Sequence, residues 1–262
     1  MDTIDISLDQ RGVATLTLSR ADKHNALSAE MMDALTDAVG RLGADGRVRA
    51  VILAAQGASF CAGGDLGWMR SQMDAAPEDR AREARRLANM LRALDEMPKP
   101  LIGRVHGNAF GGGVGMACVC DVVIAADTVK MGLTETRLGL IPATIGPYVV
   151  ARMGEARARQ VFMSARIFDA VEAERLGIVT RVVPEAMLDD AVQAEVAPYL
   201  SCAPGAVAQA KALVRTLSGG IKSPEMVDAS IAALVERWES DEAVEGIAAF
   251  FEKRKAVWVQ ND

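Results

Sequence analysis

Histidine is scarce. Only His24 and His106 occur in 262 residues, so a three-histidine metal centre is impossible and a Ser-His-Asp triad has at most two candidate bases. Cysteine is sparse as well. Cys61, Cys118, Cys120 and Cys202 are too few for a disulfide scaffold, and Cys118-Val-Cys120 lacks the two-residue spacing of a zinc knuckle. All four are expected as small buried hydrophobes, and no metal site is expected. Positive charge is in deficit, since 29 Lys+Arg against 35 Asp+Glu leave a net charge of −6. Such a field repels polyanions and makes nucleic acid a poor partner. Long apolar runs are missing too: Val122 to Ala126 is stopped by Asp121 and Asp127, far short of the ~18–20 residues of a membrane span. The opening MDTIDISLDQ is acidic and alternating, whereas a targeting peptide starts basic with an apolar or Arg-rich stretch behind. These features predict a cytoplasmic protein with no membrane segment.

What is present is an ordinary globular composition, with half of the residues hydrophobic and 24% charged. At ~150 residues per domain the length suits one large domain, or one domain with an appendage. Ile4, Ile6 and Leu8 alternate, Asp9-Gln-Arg-Gly12 turns, and alternation resumes from Val13 to Leu18, which predicts a β-hairpin. Ser28 is placed to cap a helix whose Met31, Met32, Leu35, Val39 and Leu42 recur at helical spacing. Strands are predicted at 50–54, 101–105 and 121–126, with a short helix at 111–118, so a ββα unit recurs in an α/β architecture. The helix predicted over 78–94 carries Arg80, Arg82, Arg85 and Arg86 opposite its apolar stripe, which reads as a solvated basic face. Beyond Val183-Pro184 three helical stretches follow, at about 186–200, 204–217 and 224–256. Their apolar positions, among them Ile231, Leu234, Trp238, Ile247, Phe250 and Phe251, exceed what a thin appendage covers, so this tail is expected to pack on another subunit.

Two glycine-rich turns each follow a predicted strand: Phe60-Cys-Ala-Gly-Gly-Asp65 and Gly107-Asn-Ala-Phe-Gly-Gly-Gly113. Glycine admits a ligand close to the backbone, and a helix start offers unpaired N–H donors in a positive local field. Such turns suit an oxyanion, and tight strand packing is their other reading. The second turn is no dinucleotide fingerprint, because Met116 stands where the third glycine is needed, and no Gly-Lys-Ser/Thr closes a phosphate loop.

Taken with Met131-Gly-Leu-Thr-Glu-Thr-Arg-Leu-Gly-Leu-Ile-Pro142, Arg20-Ala-Asp-Lys-His-Asn-Ala-Leu27 and Glu245-Gly-Ile-Ala-Ala-Phe-Phe-Glu-Lys-Arg-Lys255, these turns make the chain resemble the crotonase (enoyl-CoA hydratase/isomerase) superfamily over essentially its whole length. The resemblance implies a spiral of ββα units over residues 1–198, holding the acyl-CoA site, and a helical trimerisation region over 199–262. It implies a trimer or dimer of trimers, and no cofactor beyond the coenzyme A carried by the substrate. It implies backbone N–H donors at Gly64 and Gly112 for the thioester oxygen, where charge developing in an enolate-like transition state is stabilised. The resemblance implies that Ala62, Asp65 and Leu66 lie against the adenine, that Lys23 and, often from a neighbouring subunit, Lys253 meet the CoA phosphates, and that Ala26 and Phe250 belong to the substrate site. Asp65 has the alternative role of a helix cap, and Lys23 that of a solvated lysine.

Hydratases of this superfamily hold one water between two glutamates and a backbone N–H. The second glutamate maps to Glu135 and the N–H to Ala143, but Gly115 occupies the position of the first. A single carboxylate suffices only if it takes a proton from water and returns it to the α-carbon. The Phe110-to-Gly115, Gly132-to-Gly139 and Ile141-to-Val150 segments together resemble bacterial methylglutaconyl-CoA hydratases, which implies a branched, carboxylated enoyl-CoA, with Gly115 opening space for it. Arg137, Thr144 and Tyr148 are the candidates to meet the distal carboxylate. An isomerase performing a 1,3-proton shift and a catalytically silent acyl-CoA binder are the alternative readings.

Overall fold

The computed structural model describes residues 3–259. The chain starts with the expected hairpin, β1 (Ile4–Leu8) antiparallel to β2 (Val13–Leu18). Helix α1 (Ala29–Ala44) follows, with the Ser28 hydroxyl accepting from the Met31 amide, a cap worth about 1 kcal/mol. Then strands come in pairs: β3 (Ala50–Ala55) and β4 (Ser59–Cys61), β5 (Leu101–Val105) and β6 (Asn108–Phe110), β7 (Val122–Ala126) and β8 (Lys130–Gly132). Helices α2 (Leu66–Met73) and α3 (Pro77–Glu96) follow the first pair and α4 (Gly112–Val119) the second. A 3-10 turn over Glu135–Leu138, α5 (Gly146–Met153) and α6 (Glu155–Phe162) follow the third. The first strand of each pair joins one sheet, β1-β2-β3-β5-β7-β10, and the second joins another, β4-β6-β8-β9. This alternation is the recurring ββα unit. The remaining strands and helices are β9 (Ile167–Asp169), α7 (Ala170–Leu176), β10 (Arg181–Val183), α8 (Leu188–Leu200), α9 (Pro204–Leu217), α10 (Pro224–Trp238) and α11 (Asp241–Phe251).

From β2 onward the larger sheet is parallel. Its inner strands are covered on both sides, and β3, Ala-Val-Ile-Leu-Ala-Ala, is buried at every residue, as parallel sheets require. Helix α8 packs on β3, β5 and β7 and ends two residues past the expected boundary between residues 198 and 199. Among the described residues no helix is long and apolar enough to cross a membrane.

Three expectations change. The helical stretch predicted over 224–256 is two helices, because the Ser240 hydroxyl caps a new start at Asp241 by accepting from the Ala243 amide. The tail is also less needy of a partner than its sequence suggests. Val227 and Ile231 of α10 pack on Ala84 and Ala88 of α3, and Trp238, Ala243 and Ile247 pack on Leu140. The arginines of α3 form a solvated face only in part: Arg82 and Arg85 are exposed, but Arg80 is buried, donates to the carbonyls of Gln72 and Met73, and pairs with Glu239 at the end of α10. Arg85 pairs with Asp228 of α10. Opposite charge therefore fastens the tail to its own core. Uncovered apolar side chains remain on the tail, among them Val244 and Phe250 of α11 and Leu213, Val214 and Leu217 of α9, a helix that buries no residue. The cysteines add a fourth correction: Cys61, Cys118 and Cys120 are buried as expected, but Cys202 is exposed.

Candidate active site

A mainly apolar cavity of about 460 Å³ lies where the smaller sheet, the 3-10 turn and the tail helices meet, a size suited to a small acyl group. The loop before α1 forms its first wall. Asn25, fully buried at φ +53°, receives a bond from the Arg20 amide and donates to the carbonyls of Gln56 and Ser59. This ties the loop to β4. Leu27 then flanks Gly64, donating to the Gly63 carbonyl at 2.8 Å and accepting from the Asp65 amide at 3.0 Å. Those bonds leave the Gly64 N–H facing the other way, without an acceptor among the described residues.

The second wall is the turn from β6 into α4. Gly111 has φ +48° and ψ −113°, a conformation that L side chains rarely adopt. Gly112 follows at the first helical position, where its N–H has no intrahelical acceptor, and Leu27 packs so closely that a Cβ on Gly112 would lie 2.6 Å from Leu27 Cδ1. The two turns are neighbours because β4 pairs with β6 in parallel. Two free amides, Gly64 and Gly112, thus line one cavity, the arrangement that stabilises an oxyanion.

Glu135 stands on the third wall. Its carboxyl lies over Gly111, with Oε1 3.1 Å from where a Cβ on that glycine would sit. Oε2 is sealed from solvent and has no hydrogen-bond partner. Burial pushes the carboxyl up from 4.5 to about 7, against a smaller opposing effect of its own backbone amide. The 3-10 turn that carries it is backed by the tail: a Cβ on Gly246 of α11 would lie 2.5 Å from the Leu138 carbonyl carbon. Phe250 of the same helix reaches the cavity.

Glu135, Gly64, Gly112, Ala62, Leu66, Ala143 and Phe250 are thus brought together as expected on one cavity. Lys23, Ala26, Asp65 and Lys253 lie off its lining. Lys23 and Lys253 are exposed, and the Ala26 carbonyl accepts from Arg20. The Asp65 carboxylate caps α2 through the amides of Gly67 and Trp68 and pairs with Arg20 at 2.9 Å, so its side chain has a structural post already.

Gly115 corrects the sequence reading. It opens no space, because a Cβ there would lie 2.6 Å from Ile145 Cγ2 and 3.6 Å from Leu91 Cδ2. The side chain of Ile145, not singled out in the sequence, fills that place and lines the cavity. The Ala143 amide is not available to a water either, since it donates to the Ile141 carbonyl at 2.8 Å. Of the three candidates for a distal carboxylate, Arg137 and Thr144 line the cavity, whereas Tyr148 is buried in α5 and lines a separate one with Asp95, Arg152 and Lys211. Arg137 is exposed, and no ion pair or side-chain hydrogen bond engages its guanidinium among the described residues.

Known proteins share both the sequence pattern and the fold. A putative enoyl-CoA hydratase of Thermus thermophilus is 32% identical over 252 residues, covering 95% of this chain and 98% of that one. A crystal structure of a putative enoyl-CoA hydratase from Mycobacterium avium paratuberculosis superposes with a TM-score of 0.88 at 31% identity, over 98% of this chain and 99% of the other. An enoyl-CoA hydratase structure from Shewanella pealeana does so with a TM-score of 0.80 at 36% identity, over 98% and 96%. With residues 9–261 matching the family described as enoyl-CoA hydratase/isomerase, the chain belongs to that family.

Proposed function

We propose that this protein catalyses the reversible hydration of a 2-enoyl-CoA, with Glu135 as its one acid/base and the amides of Gly64 and Gly112 as its oxyanion hole. The observation that carries this reading is a carboxyl raised to about 7 in the same cavity as two unpaired amides. The thioester carbonyl accepts from the two amides. A water loses a proton to Glu135 as its oxygen bonds to C3, and the electron pair of the double bond moves toward the thioester oxygen. Glu135 then returns that proton to C2. The donors are in place before charge develops, which is the effective form of electrostatic catalysis. Coenzyme A enters as part of the substrate and calls for no further cofactor. Lys23 and Lys253 are assigned to its phosphates, Ala62, Asp65 and Leu66 to its adenine, and Ala26 to the substrate site.

For the acyl group we infer a short, branched and carboxylated chain such as 3-methylglutaconyl. The support is Arg137, an unpaired guanidinium on a mainly apolar wall, placed to hold a carboxylate bidentately. On this reading kcat/KM for 3-methylglutaconyl-CoA exceeds that for uncharged 3-methylcrotonyl-CoA by ~10-fold or more, and Arg137→Ala abolishes the difference. Equal values for the two substrates in the parent enzyme refute the carboxylate contact.

Isomerisation by a 1,3-proton shift is the second reading, favoured by the single carboxylate and by Ile145 filling the place beside Gly115. Mass spectrometry of products formed in heavy-oxygen water separates the two. Hydration adds the label to the product, and isomerisation leaves it unlabelled. We further infer a trimer or a dimer of trimers, supported by the uncovered apolar side chains of α9.

A further inference from the structure

Two oxygens on the cavity wall are buried and have no hydrogen-bond partner: Glu135 Oε2 and Thr144 Oγ1. The first belongs to the acid/base. Thr144 is only 3% exposed, and a hydroxyl sealed among apolar groups without a partner destabilises a fold. Its presence calls for a polar ligand. The two oxygens do not bond each other, and both belong to residues that line the same cavity. The Glu135 carboxyl lies over Gly111 and Ile145 lies over Gly115. Thr144 is the chain neighbour of Ile145. A water in that cavity can bond to one oxygen and then the other, satisfying two groups that otherwise have no partner.

The adding water sets a definite demand. It aims one lone pair at C3 and has two O–H groups to place, and a single carboxylate oxygen accepts only the one it will deprotonate. The nearby Ala143 amide is engaged with Ile141, and as a donor it would not accept the second O–H in any case. Thr144 Oγ1 is the remaining buried oxygen on this wall without a partner.

We propose that Thr144 Oγ1 is the second anchor of the nucleophilic water. It accepts the O–H that Glu135 does not take and so turns the free lone pair toward C3. This rests on the hydratase reading. During the step the water oxygen bonds to C3, one water proton passes to Glu135 Oε2, and the double-bond electron pair is delocalised onto the thioester oxygen. The second water hydrogen stays on oxygen as the product hydroxyl, and Thr144 keeps its own proton. Glu135 finally delivers its proton to C2. An isomerase, which handles no water, has no use for this hydroxyl.

The test compares the parent enzyme with Thr144→Val, Thr144→Ser and Thr144→Ala, using crotonyl-CoA as substrate in heavy-oxygen water and butyryl-CoA as an unreactive ligand. Thr144→Val keeps the shape and removes the hydroxyl, so kcat should fall ~10-fold or more through lost orientation, while butyryl-CoA affinity stays within about two-fold. Its melting temperature should equal or exceed that of the parent, because an orphan hydroxyl has become a methyl group. Thr144→Ser should recover kcat to within about three-fold of the parent. A Val variant as fast as the parent, or a Ser variant as slow as Val, overturns the proposal while leaving hydration intact. If Thr144→Val does not fold, Ala against Ser decides by the same criterion. A parent enzyme that incorporates no label from any enoyl-CoA refutes the hydratase reading itself, and the water anchor with it.

Discussion

Burial holds the Glu135 carboxyl at about 7 where an unfolded chain would have 4.5, and the two states therefore bind different numbers of protons between those values. The folded state favours the neutral acid, so the contribution of this one group to stability is most favourable below 4.5 and declines as pH rises from 4.5 through 7, by about 3 kcal/mol at most. Glu135→Gln removes that penalty. The variant should melt above the parent near about pH 8, with the gap closing toward about pH 5, as calorimetry at the two pH values would register. Its kcat should fall ~100-fold or more while saturated acyl-CoA still binds, and in the parent kcat/KM should drop on the acid side of about 7 as the base takes up its proton. Gly115 supplies a second test. Any side chain there meets Ile145 Cγ2, so Gly115→Ala should destabilise by about 1–3 kcal/mol through overpacking, and adding Ile145→Ala should return part of that loss in a non-additive double-mutant cycle read by denaturant unfolding. Glu135 was legible in the sequence from its motif. The role of Ile145 was not, since nothing in a linear pattern says that a side chain thirty positions on will occupy the space a glycine leaves.

At the level of elements, the hairpin, the cap of α1 and strands β3, β5 and β7 were legible because each is long enough to show a period or a buried run. Strands β4, β6 and β8 have three residues apiece, too few for any period, and β6 lay hidden inside what read as a glycine turn. Their pairing is a tertiary fact. The burial of Arg80 on α3 was hidden for a related reason: helical spacing reports which residues share a face, but not that Glu239 at the end of α10 will arrive to cover one of them. Asp65 shows the value of keeping two readings, since its carboxylate accepts from two amides and pairs with Arg20. Asp65→Ala should lower stability by about 1–2 kcal/mol and loosen α2, which supplies Leu66 and Trp68 to the cavity wall. A rise in KM together with the fall in melting temperature would show both effects. Asp65→Asn, which keeps the capping oxygen, should be milder.

For the whole molecule, the exposed Leu213, Val214 and Leu217 of α9 are the tail residues from which assembly should be sensitive to charge. Leu213→Glu with Leu217→Glu should shift sedimentation toward the monomer while leaving the core, which α9 does not enter, folded; an unchanged oligomer would assign the contact to another face. The route of the chain through the cavity has a kinetic consequence. Its wall draws on Leu27, on Gly64 and Gly112 from two successive strand pairs, on Glu135, and on Phe250 near the far end, so contacts of very long sequence separation must close before a substrate meets a complete site. Such contacts form late because loop closure must precede them. After dilution from denaturant, far-ultraviolet circular dichroism should return first and turnover last, and the enzyme's own activity then becomes the clock for the final docking of its tail.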